Sequence, residues 1–217
     1  MKSTLYLLVI LLSISITKQI TATERPLSGQ AKIDSLTKVL KKAKIDTNQV
    51  MLLNKLAGLY IDINPEKAIE YSNNALKLAQ KMDWLKGEVD SYNMIGVSYT
   101  YSTFDSKKGL DYSLKALKIA EELNNSLTIS YSLRSLGELY LESTRDSIRK
   151  KIESVEANTE FLNKEINLNK SIDFNKKAES VCLEVGDINS LVFVYRDLYL
   201  AYYEKDDTDK ALRYFQE

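Results

Sequence analysis

The chain has no histidine at all, which removes the commonest general base and the commonest metal ligand together. Ordinary catalytic triads and zinc sites are thereby excluded. A single cysteine, Cys182, leaves nothing for an intrachain disulfide, a redox pair or a thiolate cluster. With 30 basic and 30 acidic residues there is no net field to attract nucleic acid or an anionic membrane. Two prolines and seven glycines give few breakers, and the glycines stand apart, so no phosphate-cradling loop can form. No strand run appears either, and long stretches rich in Leu, Lys, Glu, Asn and Ser favour helix.

What is present begins with Lys2 and an apolar run from Leu5 to Ile16, followed by polar Thr17, Lys18 and Gln19. A dozen apolar residues are too few to span a bilayer, for which about 20 are needed, and they match a secretory signal peptide covering residues 1–22. The expectation is export to the periplasm or beyond, with cleavage near Ile20-Thr21-Ala22. No cysteine lies there for lipid attachment. Residues 23–46 read as a linker containing Pro26 and Gly29, then a lone capping helix with Ile33, Leu36, Val39, Leu40 and Ala43 at helical spacing.

From residue 47 onward one short design recurs. Leu53-x-x-Leu56-Ala57-x-x-Tyr60, Tyr92-x-x-Ile95-Gly96-x-x-Tyr99, Leu133-x-x-Leu136-Gly137-x-x-Tyr140 and Tyr195-x-x-Leu198-Tyr199-x-x-Tyr202 each place large apolar residues at i, i+3 and i+7, mostly with a small one at i+4. That is a helical face carrying a notch, which calls for a partner helix. The partners come next in the chain: Ala68-Ile69-Glu70-Tyr71, Gly109-Leu110-Asp111-Tyr112, Ser171-Ile172-Asp173-Phe174 and Ala211-Leu212-Arg213-Tyr214. Asn64-Pro65 supplies a cap and a first-turn proline for the earliest of them.

These units resemble tetratricopeptide repeats, the 34-residue helix–turn–helix units of that family. The resemblance covers residues 47–217 and divides them into repeats at about 47–86, 87–126, 127–187 and an incomplete 188–217. It implies an all-α fold, a right-handed α-solenoid of antiparallel helix pairs. The intervals are longer than the family's, 39 residues from Tyr60 to Tyr99 and 41 from Tyr99 to Tyr140, and the proline after the second helix is missing. Tyr140 to Tyr202 spans 62 residues, the surplus being an insertion at 143–170. There Ile148, Ile152, Val155, Leu162 and Ile166 follow 3–4 spacing, and the expected arrangement is a longer second helix that starts after Ser143-Thr144-Arg145-Asp146. The chain stops within the second helix of the fourth repeat, as expected of a fragment of a longer protein.

Among candidate chemical groups, Cys182 occupies the position of Ala79 and Ala120 and reads as a small core residue. Adjacent acids such as Glu121-Glu122 and Asp206-Asp207 diverge on a helix and read as solvated faces or caps. Most of the 14 tyrosines fall on the repeat signature and read as packing. No catalytic residue, cofactor or metal is expected. In the family the first helices line a concave groove, and register places Asn54, Asp62, Asp90, Asn93, Tyr101, Tyr131, Arg134, Glu138, Arg196 and Tyr203 there. Such a mixture suits a protein or extended peptide ligand, with the paired arginines Arg134 and Arg196 as donors to a carboxylate or to peptide carbonyls. The terminal-carboxylate clamp of chaperone-binding members is absent, since Met51, Asn54 and Gly58 stand where part of it belongs. The expected function is thus non-catalytic binding of a protein or peptide. A second expectation is the sensory region of a longer membrane-bound signalling protein, a histidine kinase or DNA-binding regulator. Membrane association would then come only through the signal segment or a missing C-terminal part.

Overall fold

A computed structural model describes residues 29–153 and 164–217. The expected signal peptide, the start of the linker and residues 154–163 of the insertion, with Val155 and Leu162, lie outside the described residues. Among those described, all regular structure is helical. The described residues divide into two units after Val39. Helix α1, Gly29–Leu40, buries Ile33.

The second unit runs α2 (Thr47–Tyr60), α3 (Pro65–Lys81), α4 (Leu85–Val97), a π-helical turn (Ser98–Ser102), α5 (Ser106–Glu122), α6 (Ser126–Glu153), α7 (Lys164–Val185), α8 (Ile188–Glu204) and α9 (Thr208–Gln216). The tyrosine-closed segments fall on α2, α4 with the π turn that carries Tyr99, α6 and α8, the first helices; their partners fall on α3, α5, α7 and α9. Each helix packs on the next in chain order, and each first helix also packs on the following first helix, α2 on α4, α4 on α6 and α6 on α8. The second helices do not pack on one another comparably among the described residues.

Caps explain where helices start. Asp46, Asn64, Asp105, Asp187 and Asp207 each accept a hydrogen bond from the backbone N–H three residues on, satisfying a first-turn donor. Helix ends use left-handed residues that are mostly not glycine: Asp83, Phe104, Asn124 and Asp206 have φ of 50°, 55°, 51° and 60°, beside Gly186 at 71°. The N–H of Trp84, Asp187 and Asp207 then reaches back to the carbonyl of Ala79, Cys182 and Tyr202, the six-to-one bond of a Schellman ending. This is how so glycine-poor a chain turns so often.

The glycines that remain are used for close approach. A Cβ on Gly96 would lie 2.3 Å from Ser113 Oγ and 2.8 Å from the Gly109 carbonyl, so α4 and α5 touch nearly backbone to backbone. One on Gly137 would lie 2.3 Å from the Asn175 side chain, and the Gly137 carbonyl accepts from Ser171 Oγ at 2.8 Å.

Beside each notch an aromatic pair closes the repeat. Tyr60 stacks on Tyr71, Tyr99 on Tyr112, Tyr140 on Phe174 and Tyr202 on Tyr214, with centroids 5.5, 5.7, 5.5 and 5.8 Å apart and planes within 12° of parallel. Over the first ring of each pair sits a lysine at an equivalent position: Lys67, Lys108, Lys170 and Lys210, 5.1, 4.1, 5.2 and 5.2 Å from the centroid. Cys182 is fully buried in the main core cluster with Leu133, Leu136, Ala178 and Val194.

The insertion differs from its expected layout. Helix α6 does not end at Ser143-Thr144 but continues to Glu153, and α7 begins only at Lys164, so the surplus lengthens both helices of the third repeat. Ser143 and Thr144 are buried and turn their hydroxyls back to the carbonyls of Tyr140 and Leu141, both at 2.7 Å, so these polar groups are satisfied inside the continuing helix.

Candidate functional site

Because α2, α4 and α6 pack side by side, residues that face away from the second helices meet along one surface. A cleft of about 470 Å³ opens there, lined by Met51, Asn54 and Lys55 of α2, Lys86, Asp90 and Met94 of α4, and Leu127, Thr128 and Tyr131 of α6. Its floor is soft and apolar. Met94 lies against Gly58, at 3.7 Å from where a Cβ would stand, and Leu127 at the mouth is 54% exposed. The rim is polar: Lys86 pairs with Asp90 at 3.1 Å, and burial raises the Tyr131 phenol above its ordinary pKa.

A second, smaller cleft of about 220 Å³ lies toward the other end of the first helices, between the π turn, α6 and α8. Tyr101, Glu138, Leu141, Glu142, Arg196, Asp197 and Leu200 line it. The π turn matters here, since the extra residue per turn re-aims the side chains at its C-terminal end. Tyr101 on that turn donates its hydroxyl to Glu138 Oε1 at 3.0 Å. Burial and the carboxylates of Glu138 and Glu142 hold the phenol far above its usual range. Arg196 donates from Nε to Asp197 Oδ1 at 2.8 Å and also approaches Glu138 at 3.6 Å. Asp197 is 1% exposed, and its Oδ2 is buried with no hydrogen-bond partner. Burial and the nearby Glu138 raise its pKa to about 6 against the opposing pull of Arg196 and Arg134.

The residues expected in the groove separate into three groups. Asn54, Asp90 and Tyr131 line the larger cleft, and Tyr101, Glu138 and Arg196 the smaller. Asn93 is fully buried between first helices, where its Nδ2 donates to Ser132 Oγ at 3.1 Å. Asn54 repeats that bond one unit earlier, donating to Ser91 Oγ at 3.2 Å. These asparagines therefore staple successive first helices, and Asn93 presents nothing to a ligand. Asp62 lies exposed in the turn after α2, and Tyr203, 62% exposed, contacts Tyr199 and lines neither cleft.

The paired arginines are held by neighbouring side chains, although Nε of Arg134 is buried without a hydrogen-bond partner. Arg134 is held between the faces of Tyr131 and Phe193, 5.1 and 5.0 Å from their centroids, with Glu138 at 3.7 Å. Arg196 is engaged by Asp197 and Glu138.

Sequence reasoning missed Met51, Lys55, Lys86, Met94, Leu127, Thr128 and Asp197 as cleft residues. Periodicity could have found Met94, which lies one helical turn after Asp90 on the same face. The burial of Asp197 had no such signal, because it depends on α6 lying across α8. No protein-family model matches the chain, and no curated protein matches it significantly.

Proposed function

We propose that this chain is a non-catalytic binding protein of the tetratricopeptide type, exported across the cytoplasmic membrane, that takes an extended peptide segment of a partner in the cleft formed by α2, α4 and α6. The observation that carries this reading is that the larger cleft is lined by the first helices of three successive repeats and by no second helix. Contact between first helices without comparable contact between second helices supports a curved stack, the right-handed solenoid of antiparallel pairs, with the first helices inside. Two thioethers and a leucine beside lysine, aspartate and tyrosine suit an apolar anchor residue flanked by hydrogen bonds to its backbone.

A random peptide library displayed on phage and selected against the full chain tests the reading. Selected peptides should compete with one another and lose at least tenfold in affinity against Leu127→Glu. That change places a charge at the mouth of the cleft, at a residue exposed enough to leave melting unaltered. Peptides indifferent to this variant would contradict the assignment. Export rests on Lys2 and the Leu5 to Ile16 run. Cell fractionation with N-terminal sequencing should recover a chain beginning near residue 23 outside the cytoplasm; a full-length cytoplasmic chain would refute it.

A further inference from the structure

Repeat register orders the residues of the larger cleft. Met51, Asp90 and Tyr131 each stand nine positions before the closing tyrosine of their repeat, and Lys55 and Met94 five positions before it. The bonds from Asn54 to Ser91 and from Asn93 to Ser132 hold successive first helices in this register. Met51, Asp90 and Tyr131 therefore share one level of the cleft, and about one turn on Lys55 of α2 adjoins Met94 of α4. Three charged side chains line the cleft, and they do not cancel. Lys86 pairs with Asp90 at 3.1 Å, whereas the exposed Lys55 pairs with no acid among the described residues. The other acids of these helices are placed elsewhere. Helix α2 contains none; Asp46 before it accepts from the Gln49 N–H as a cap, and the exposed Asp62 lies seven positions beyond Lys55, about 10 Å along the axis. Glu88 of α4 stands one turn before Tyr92, which stacks on Tyr112 of the second helix α5 and so faces away. On α6 the Arg134 guanidinium over the Tyr131 ring is matched by Glu138 at 3.7 Å.

We infer that Lys55 makes the larger cleft selective for acidic partner segments, in which an aspartate or glutamate lies one or two residues from the apolar anchor. This rests on the peptide-binding reading and names the class of peptide. Charge complementarity selects it. An acid beside Lys55 meets the lining charge that the protein leaves unpaired, whereas a basic residue there meets two ammonium groups and a carboxylate already engaged. A neutral residue is tolerated, since Lys55 stays hydrated at the surface. The spacing follows from geometry: Lys55 lies one turn after Met51, about 5.4 Å, which an extended peptide covers in one to two residues. An ammonium on a flexible stem reads charge rather than the shape of a carboxylate, so aspartate and glutamate both serve. Because the pair is exposed, its effect is a preference of about twofold to fivefold, weakened by salt.

The test selects a random phage library in parallel against the full parent chain and against Lys55→Glu, with peptide C-termini fused to the coat protein so that only side-chain carboxylates are on offer. Peptides from the parent that lose affinity against Leu127→Glu should be enriched, over the unselected library, in Asp or Glu within two residues of an apolar residue. Those from Lys55→Glu should carry Lys or Arg at that place instead. In one synthetic peptide from the parent pool, changing this acid to its amide should cost about twofold to fivefold in affinity at low salt. Lys55→Gln, at an exposed position that leaves melting unaltered, should abolish that cost. The same enrichment in both pools, or an amide cost that persists in Lys55→Gln, would overturn the inference. Peptides sensitive to Leu127→Glu but without acidic enrichment would refute the selectivity and leave the binding reading standing. Peptides indifferent to Leu127→Glu would refute both.

Discussion

At the scale of single residues, Asp197 is where burial and charge conflict most sharply. It is 1% exposed, its pKa is raised to about 6, and its unfolded value is about 4. The folded chain therefore binds more protons than the unfolded chain between those values. The contribution of this group to stability accordingly increases as pH falls from about 7 to about 4, by an amount on the order of 3 kcal/mol. Asp187 and Asp207, held below the ordinary carboxylate range by their hydrogen bonds to Ser190 and Lys210, act in the opposite sense. Comparing Asp197→Asn with the parent isolates the contribution of this one carboxyl. Denaturation midpoints across this range should show the parent gaining on the variant as the solution is acidified, and parallel curves would show that Asp197 titrates normally. The same residue shows the limit of sequence reading. Its neighbour Arg196 was legible as a groove position from register, but register gives an angle around a helix and not a depth. Asn93 was misplaced for that reason, facing the right way yet covered by the next first helix.

At the scale of helices, the notch-and-aromatic design was legible in full, because it depends on residues within one face. Tyr60, Tyr99, Tyr140 and Tyr202 each find the aromatic partner that the sequence offers them. The lysine above each first ring could have been read too, since Lys67, Lys108, Lys170 and Lys210 all directly precede the small residue of the second helix. Two element-level features were not legible. The π turn at Ser98–Ser102 carries no marker residue in the sequence, and α6 continues through Ser143 and Thr144, whose hydroxyls are satisfied by carbonyls of the same helix. Glycine substitutions test the packing with opposite signs. Gly96→Ala puts a methyl 2.8 Å from the Gly109 carbonyl and should destabilise by about 1–3 kcal/mol. Gly58→Ala meets only Met94 at ordinary contact distance and should stabilise by up to about 1 kcal/mol from helix propensity. Thermal or urea denaturation reads both, and equal effects of the two changes would mean that α4 and α5 are not in such close contact.

At the scale of the whole molecule, the unit from Leu40 onward is built so that, among the described residues, its first helices pack on one another and its second helices do not do so comparably. Everything proposed about function depends on that asymmetry, because it gathers the clefts on the side of the first helices. The absence of histidine removes the commonest general base and metal ligand, whereas the engagement of the groove arginines required the structure. Two arginines suggest an acceptor-seeking surface, and Glu138 and Asp197 pair with them instead. Hydrogen–deuterium exchange of the full chain with and without a selected peptide tests the account most directly. Protection should appear on α2, α4 and α6 around residues 51–55, 86–94 and 127–131, with α3 and α5 unchanged. Protection centred on α3, α5 or α7 would contradict the claim that the first helices form the binding surface.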